Sequence, residues 1–264
     1  MKKAINRIYL IIIFVFLYAP VLTLIVFSFN KSKSRGNWGG FTLKWYGELF
    51  HDRQVLSSLY NTVIIALLSA LIATVAGTAA AVGIHNMKKT VKSFVMNLTY
   101  LPVVNPDIVT GISLMILFVF IKLDLGFTTL LLAHITFNIP YVVLSVLPKL
   151  KQLNRHMYEA ALDLGAKPAY AFFRVILPEI MPGVVTGFLL AFTLSLDDFI
   201  ISFFTTGSGV STLSITIYSM ARLGISPKIN ALSTLMFIVV LVLLLIVNKR
   251  SSANGRNGAP IVNI

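Results

Sequence analysis

The sequence predicts an all-α membrane protein with six transmembrane helices, from its apolar composition, six long hydrophobic runs and the placement of basic residues between them. Of 264 residues, 57% are hydrophobic and 12% are charged, and the mean hydropathy is +0.87. Soluble domains carry about 25% charged residues, so a soluble protein is not expected. The absence of cysteine excludes disulfides, thiolate metal sites and cysteine nucleophiles.

Each hydrophobic run is long enough for a helix that crosses the hydrocarbon core, which takes about 20 residues. The runs cover residues 8–29, 59–84, 94–121, 127–147, 177–204 and 231–247. The first follows three basic residues, as a signal peptide does, but it is longer than a signal-peptide core and has no small-residue cleavage pattern. We therefore expect it to be retained in a transmembrane domain over 1–250, with its core at about 55–248 and a disordered cytoplasmic tail over 251–264.

The basic residues lie mostly between the runs and indicate which side of the membrane each loop faces. Lys and Arg are more numerous on the side that holds both termini, so both termini are predicted to be cytoplasmic. The first outer loop opposes this orientation, because it carries five basic residues that Glu48 and Asp52 offset only in part. The net charge of +13 also raises the question of nucleic acid, but a nucleic-acid-binding protein would not disperse its basic residues around membrane spans.

Three aspartates stand inside the predicted spans: Asp107 in the third, and Asp197 and Asp198 in the fifth. A carboxylate at the bilayer centre costs roughly 2.5 to 3.5 kcal/mol, and no Lys or Arg lies inside any run to pair with these three. Helical rise places them in the outer half of the membrane. We therefore predict an outward-facing acidic site that attracts a cation. The alternative is that Asp107 caps a restarted helix and that the other two lie at the outer water interface.

Two prolines predict a break in the third span. Pro102 and Pro106 each lack the backbone N–H that an interior helical residue donates, so the helix is expected to break at 105–107. Irregular backbone at membrane depth is tolerated where it lines a cavity or is buried in protein. The break therefore supports the prediction of a pathway next to Asp107.

Neighbouring residues extend the predicted site. Ser195 shares a helix face with Asp198, whereas Asp197 is turned about 100° away, so one aspartate would line a pathway while the other orients it or faces another helix. Trp45, in the first outer loop, would offer an ammonium group a π-face worth roughly 0.5 to 2 kcal/mol. The alternative for Trp45 is an interfacial residue that contacts no ligand.

The remaining candidates indicate structure rather than chemistry. The four histidines have no partner at metal-ligand spacing, and His134 is expected to hydrogen-bond to a neighbouring helix. Gly183 and Gly187 form a GxxxG pair that predicts close helix packing. The chain has no P-loop, HExxH or GxSxG motif, so no enzymatic activity, metal or cofactor of its own is predicted.

The loop between the fourth and fifth spans predicts a short amphipathic helix that ends at Gly165. Its apolar positions at helical spacing are Leu153, Met157, Ala160, Ala161 and Leu164. Such a helix docks into a groove on a soluble partner. The alternative is a helix that lies on the lipid surface, which the basic residues of the loop would favour equally.

A motif in this loop carries a resemblance to a known family. It consists of Glu159-Ala160-Ala161, then Gly165 after three residues, then Val175-x-Leu177-Pro178 after nine more. This spacing resembles the EAA loop of binding-protein-dependent ABC importer permeases, with Val175 where isoleucine is commoner. The resemblance implies a type I permease fold with six transmembrane helices and a cytoplasmic coupling loop at 150–178. In that loop Glu159, Ala160, Ala161 and Gly165 would contact an ATPase.

Further segments, at 105–109, 133–137, 192–198 and 217–220, are similar to the second permease subunit of spermidine/putrescine importers. The resemblance implies a complex in the bacterial inner membrane with three kinds of partner. These are a second, different permease, two cytoplasmic ATPase subunits that bind ATP and Mg, and an extracytoplasmic polyamine-binding protein. It also implies substrate-path roles for five residues: Trp45, Asp107, Ser195, Asp197 and Asp198.

Two other functions stay open at this point. A permease of the same family for an iron chelate or a phosphonate would share the fold and the coupling loop. An ion-coupled secondary carrier or channel would need no ATPase, although no internal repeat of the kind common in such carriers is visible in the sequence.

Overall fold

The computed structural model describes residues 2–33, 37–224 and 227–256, which are almost entirely helical. The helices are α1 (Lys2–Phe27), α2 (Lys44–His51), α3 (Arg53–Asn86), α4 (Lys89–Val104), α5 (Asp107–Phe120), α6 (Phe127–Gln152), α7 (Arg155–Asp163), α8 (Pro168–Ala171), α9 (Leu177–Asp197), α10 (Ile200–Thr205), α11 (Leu213–Leu223) and α12 (Pro227–Arg256). A π-helical turn, Phe172–Ile176, joins α8 to α9. Residues 251–256 of the predicted tail continue α12, and 257–264 lie outside the described residues.

Four stretches within the described residues are long and apolar enough to cross a membrane. They are Asn6–Phe27, Arg53–Asn86, Phe127–Gln152 and Pro168–Asp197. Helices α4 and α5 make a fifth crossing if they count as one broken span, and α12 contributes the shorter apolar stretch Pro227–Val242. The all-α class is therefore confirmed, and the count of six spans stays a prediction.

The predicted break in the third span is confirmed. Helix α4 ends at Val104 and α5 begins at Asp107, and the two helices meet at 105°. Asn105 has extended backbone, with φ −70° and ψ 143°, as expected for a residue that precedes a proline. Pro106 follows it and has no N–H to continue the α4 ladder. Pro106 and the extended residue before it turn the chain, whereas Pro102 lies inside α4.

The chain divides into two compact units, Met1–Ser57 with Thr216–Ile264 and Ser58–Ile215. In the second unit, α6 packs closely along α9, and apolar side chains of α3 complete the core. A Cβ atom on Gly183 would lie 2.9 Å from the Ser145 carbonyl oxygen, and one on Gly187 would lie 3.2 Å from Cα of Val142. The close packing predicted for the GxxxG pair is therefore confirmed.

In the first unit, polar contacts fix α2 and the loop before it. The Trp45 indole is only 5% exposed, and its N–H donates to the Asn30 carbonyl oxygen at 2.8 Å. The Asn30 side chain in turn accepts a hydrogen bond from the backbone N–H of Gly39 at 2.8 Å.

Asp52, which follows α2, forms a hydrogen-bonded ion pair with Lys228 at the start of α12. This ammonium holds the pKa of the Asp52 carboxyl below its ordinary value.

Candidate functional site

The fifth predicted span breaks at its two aspartates: α9 ends at Asp197 and α10 begins at Ile200. The Asp198 carboxylate accepts hydrogen bonds from two backbone N–H groups, those of Ile201 at 3.3 Å and Ser202 at 2.7 Å. N–H groups in the first turn of a helix have no partner within that helix. Asp198 therefore caps α10, and its side chain is only 8% exposed.

His134 of α6 faces the same carboxylate. Its Nε2 lies 3.1 Å from Oγ of Ser202 and 3.6 Å from Oδ2 of Asp198, and its side chain is 1% exposed. The predicted hydrogen bond from His134 to a neighbouring helix is confirmed, and α10 is that helix. The protein itself thus supplies both backbone and side-chain contacts to Asp198.

Ser195 takes part in a second polar contact, one turn before Asp198. Asn138 of α6 donates from Nδ2 to the Ser195 hydroxyl oxygen at 2.8 Å. The Ser69 hydroxyl of α3 lies 3.1 Å from the same oxygen. All three side chains are buried, so Ser195 lies in a contact between helices rather than on an open surface. Its predicted role in the substrate path stays a prediction.

Asp107, at the α4–α5 break, and Asp197, at the α9–α10 break, both have exposed side chains. Asp107 is the first residue of α5, where the helix dipole favours a negative charge, and it interacts electrostatically with the Tyr141 side chain. The restarted helix of the alternative interpretation is present, but its N-cap residue is Pro106 and no side chain caps it by a hydrogen bond. The Asp107 carboxylate is exposed and open to a solute. Asp197 lies at the end of α9, immediately before the buried Asp198.

The two restarted helices, α5 and α10, pack against each other, which brings the two breaks into one region of the second unit. Gly111 of α5 lies in this contact, where a Cβ atom would be 3.2 Å from the ring of Phe204. An apolar cluster of α5, α6 and α10 side chains continues it. Four of the five predicted path residues therefore belong to this unit, whereas Trp45 belongs to the first.

The loop between α6 and α9 contains the predicted short helix as α7. The Asn154 side chain caps its start. Two backbone hydrogen bonds close its end, from the Gly165 N–H to the Leu162 carbonyl at 2.8 Å and from the Ala166 N–H to the Ala161 carbonyl at 3.1 Å. Gly165 has φ +84°, so the left-handed residue that ends the helix is the predicted glycine.

The outer surface of α7 is open. Glu159 and Ala160 are exposed and Ala161 is half-buried. Leu164, at the end of the helix, is 89% exposed. Beside it lies a concavity of about 510 Å³, lined by Ala161, Leu164, Gly165, Ala166, Lys167, Tyr170 and Val175. The residues of the EAA motif are therefore accessible to another protein.

Three residues of the polar contacts were not predicted from the sequence: Ser69, Asn138 and Ser202. Asn138 carried a usable signal, since an amide in the middle of the fourth run is costly for the same reason as an aspartate. Ser69 and Ser202 carried none, because single serines are common at contacts between transmembrane helices.

Residues 73–250 match the family described as the binding-protein-dependent transport system inner membrane component. The chain belongs to this family. It is 40% identical to the spermidine/putrescine transport system permease protein PotC of Shigella flexneri, over 92% of this chain and 94% of the relative. It is 44% identical to the putrescine transport system permease protein PotI of Escherichia coli (strain K12), over 84% of this chain and 82% of the relative.

Solved structures of importers have the same fold. A chain of a bacterial ABC transporter involved in the import of the acidic polysaccharide alginate matches with a TM-score of 0.70 at 22% identity, covering 96% of this chain and 98% of that chain. A chain of the MetNI methionine ABC transporter matches with a TM-score of 0.62 at 16% identity, covering 81% and 99%. The permease is therefore an integral membrane protein with the ABC importer fold, as predicted.

Proposed function

We propose that this permease is a membrane-spanning subunit of an ATP-driven importer of polyamines such as spermidine and putrescine, with no ATPase site of its own. The observation that carries the proposal is its identity of 40% and 44% to permeases of spermidine/putrescine and putrescine transport systems, over most of the chain. The likeness to the alginate and methionine transporters, at 22% and 16% identity, supports the fold alone.

The exposed acids suit such a cargo. A polyamine carries two or more ammonium groups separated by methylenes, so carboxylates at intervals along a path attract it electrostatically. In this proposal Asp107 and Asp197 form the open part of the path, and Ser195 and Asp198 belong to its wall. The predicted aromatic contact from Trp45 stays a prediction, since its indole is buried in the first unit. The path must also release the cation. Most of the affinity therefore resides in a separate binding protein.

The proposed complex contains this chain, a second permease, two cytoplasmic ATPase subunits and an extracytoplasmic polyamine-binding protein. It lies in the bacterial inner membrane with both termini of this chain in the cytoplasm, an orientation that the distribution of Lys and Arg supports. Both permeases line the path. The ATPases bind ATP and Mg, and their closure moves α7 so that the path opens to alternate sides of the membrane as rigid bodies shift.

Uptake by the complete transporter tests the substrate. Membrane vesicles that contain all subunits are expected to accumulate radiolabelled putrescine, and unlabelled spermidine is expected to compete. A phosphonate and an iron chelate are the controls, since they are the substrates of the alternative permeases considered above. Competition by either control compound instead of spermidine would contradict the proposal. So would uptake that continues without ATP while a proton gradient is maintained, which would indicate a secondary carrier.

The coupling residues have their own test. Glu159→Lys reverses the charge of an exposed side chain, and Gly165→Pro cannot adopt φ +84°. We expect either change to prevent ATPase docking or to leave ATP hydrolysis without polyamine uptake. Gly83→Ala is the control, because a Cβ atom at that helical position meets no other group within 4 Å. Normal coupling in both loop variants would remove α7 from the proposed mechanism.

A further inference from the structure

A row of buried polar side chains runs between α6 and the α9–α10 break. His134 and Asn138 lie four residues apart on one face of α6. Opposite them, Ser195 lies near the end of α9, Asp198 lies in the break, and Ser202 lies in α10. We call these five residues the polar seam. Its contacts join α6 to both sides of the break, at Ser195 on one side and at Ser202 on the other.

Within the seam, the contacts of His134 are those of a hydrogen-bond donor directed at the break. Nε2 lies 3.1 Å from Oγ of Ser202 and 3.6 Å from the Asp198 carboxylate, and both groups accept hydrogen bonds. The neighbouring carboxylate favours the tautomer with the proton on Nε2, which then donates to the Ser202 hydroxyl. Nδ1 is buried and has no hydrogen-bond partner within the described residues, so the polar contacts of the ring all reach the break.

The seam gives the two consecutive aspartates different surroundings. Asp198 is buried, and its oxygens accept from the backbone of α10 and face His134. Asp197 is exposed and is the last residue of α9. Asp198 has extended ψ of 127°, so the chain leaves the helical path directly after Asp197. A contact that holds Asp198 therefore holds the residue directly next to Asp197, at the end of α9.

We propose that His134 is a positioning residue: by holding Asp198 and Ser202 it fixes the turn between α9 and α10, and thereby the direction in which Asp197 meets the transported cation. The inference rests on the proposed function only for the identity of the cation; the role of His134 in placing Asp197 is independent of that identity. Asp198 then acts within the protein and needs no contact with the solute.

The absence of cysteine from the chain makes the position of residue 197 measurable. The Asp197→Cys variant, in the purified complete transporter, is exposed to a trimethylammonium methanethiosulfonate, and modification of this subunit is followed by mass spectrometry. Adding His134→Leu is expected to change the modification rate by about fivefold, the ratio that corresponds to about 1 kcal/mol. His134→Gln is expected to keep the rate of the parent, because its amide donates to the same oxygens.

Two controls separate positioning from loss of structure. Thr136→Ala changes another α6 residue, whose exposed hydroxyl donates to the Leu132 carbonyl oxygen of its own helix, and is expected to leave the rate unchanged. Lys89→Cys, at the exposed start of α4 and outside the coupling loop, reports general loosening. Its modification rate is expected to be the same with His or Leu at position 134. Ser202→Ala removes the hydroxyl partner of His134 with a smaller change in volume, and is expected to act in the same direction as His134→Leu.

The inference is overturned if neither His134→Leu nor Ser202→Ala alters modification at position 197. It is also overturned if the rate at position 89 changes as much as the rate at 197, because His134 then supports the fold in general. Putrescine uptake by the variants that retain Asp197 is expected to follow the same order, with Gln restoring what Leu removes. A complete wild-type transporter that moves no polyamine would instead overturn the proposed function, and the labelling result would still stand.

Discussion

The two helix breaks of the second unit use aspartate in opposite ways. At the α4–α5 break, Pro106 turns the chain and Asp107 begins the new helix with an exposed carboxylate. At the α9–α10 break there is no proline, and the buried Asp198 carboxylate holds the new helix through its backbone N–H groups. Asp197, although adjacent to Asp198, resembles Asp107 in its exposure. Burial and hydrogen bonding therefore distinguish the aspartates, whereas their cost in a membrane does not.

The largest expected effect comes from removing the buried carboxylate. Asp198→Ala leaves two N–H groups of α10 without their acceptor, and a buried unsatisfied group costs about 1–3 kcal/mol. We expect a lower melting temperature of the purified complex and uptake reduced by more than about tenfold. Asp107→Ala is the control: it removes an exposed charge at a helix N-terminus, which contributes at most about 1 kcal/mol, so it should lower the melting temperature less. Equal melting temperatures for both variants would remove the distinction between the two breaks.

The exposed carboxylates are expected to affect transport without affecting stability. Asp107→Asn and Asp197→Asn each remove a charge from the proposed path, and we expect polyamine uptake to fall by about tenfold, the equivalent of about 1.4 kcal/mol. Asp107→Glu keeps the charge and should retain most of the uptake. Melting temperatures should match the wild type. If uptake by both Asn variants is unchanged, the acidic path is wrong and the substrate proposal rests on sequence identity alone.

A smaller effect is expected where the two restarted helices meet. Gly111→Ala places a Cβ atom 3.2 Å from the Phe204 ring, and we expect a loss of about 1 kcal/mol in stability and a modest loss of uptake. Gly83→Ala adds the same methyl group where no atom lies within 4 Å, and should be neutral or stabilising. Thermal melting of both variants measures the difference. A Gly111→Ala variant as stable as Gly83→Ala would indicate that the breaks are not coupled through this contact.

The smallest expected effect concerns Asp52, an aspartate that has a basic partner. Lys228 lowers the pKa of Asp52 below 3.8. The ion pair therefore stabilises the fold fully at pH values above the unfolded-state pKa, and this stabilisation is lost as the pH falls through the folded-state pKa. We expect Asp52→Asn to cost ~1 kcal/mol or less, with a constant deficit from about pH 8 to pH 5. The deficit should shrink only below about pH 4. Asp124→Asn, at an exposed turn, is the control, and a deficit that disappears near pH 6 would contradict the pair.

Local rules predicted the helices, the break at 105–107 and the glycine that ends α7, because each depends on a few adjacent residues. Proline removes a donor and glycine adopts positive φ in any surroundings. The count of spans was harder to establish, since the 105° bend divides the third run into two short helices. The length and hydropathy of a run do not show whether the helix it forms is straight or bent.

The candidate site was predicted in part. The sequence singled out the three aspartates because their cost in a membrane is independent of the fold. It could not separate Asp198 from Asp197, since the difference lies in contacts with α6, a separate element in the sequence. Helical spacing placed Ser195 and Asp198 on one face but did not show that this face is covered by His134 and Asn138.

Helix α6 links the polar seam to the predicted coupling loop. It is continuous over 26 residues, and His134 lies about 27 Å from its last residue, Gln152. Only Leu153 and Asn154 separate that end from α7. In the proposed complex, a displacement of α7 would act at one end of α6, and the imidazole that contacts the α9–α10 turn lies towards the other end, with Pro140 and Pro148 between them. In the proposed complex, ATP hydrolysis in the cytoplasm would in this way reach the Asp197 carboxylate through a single helix, α6.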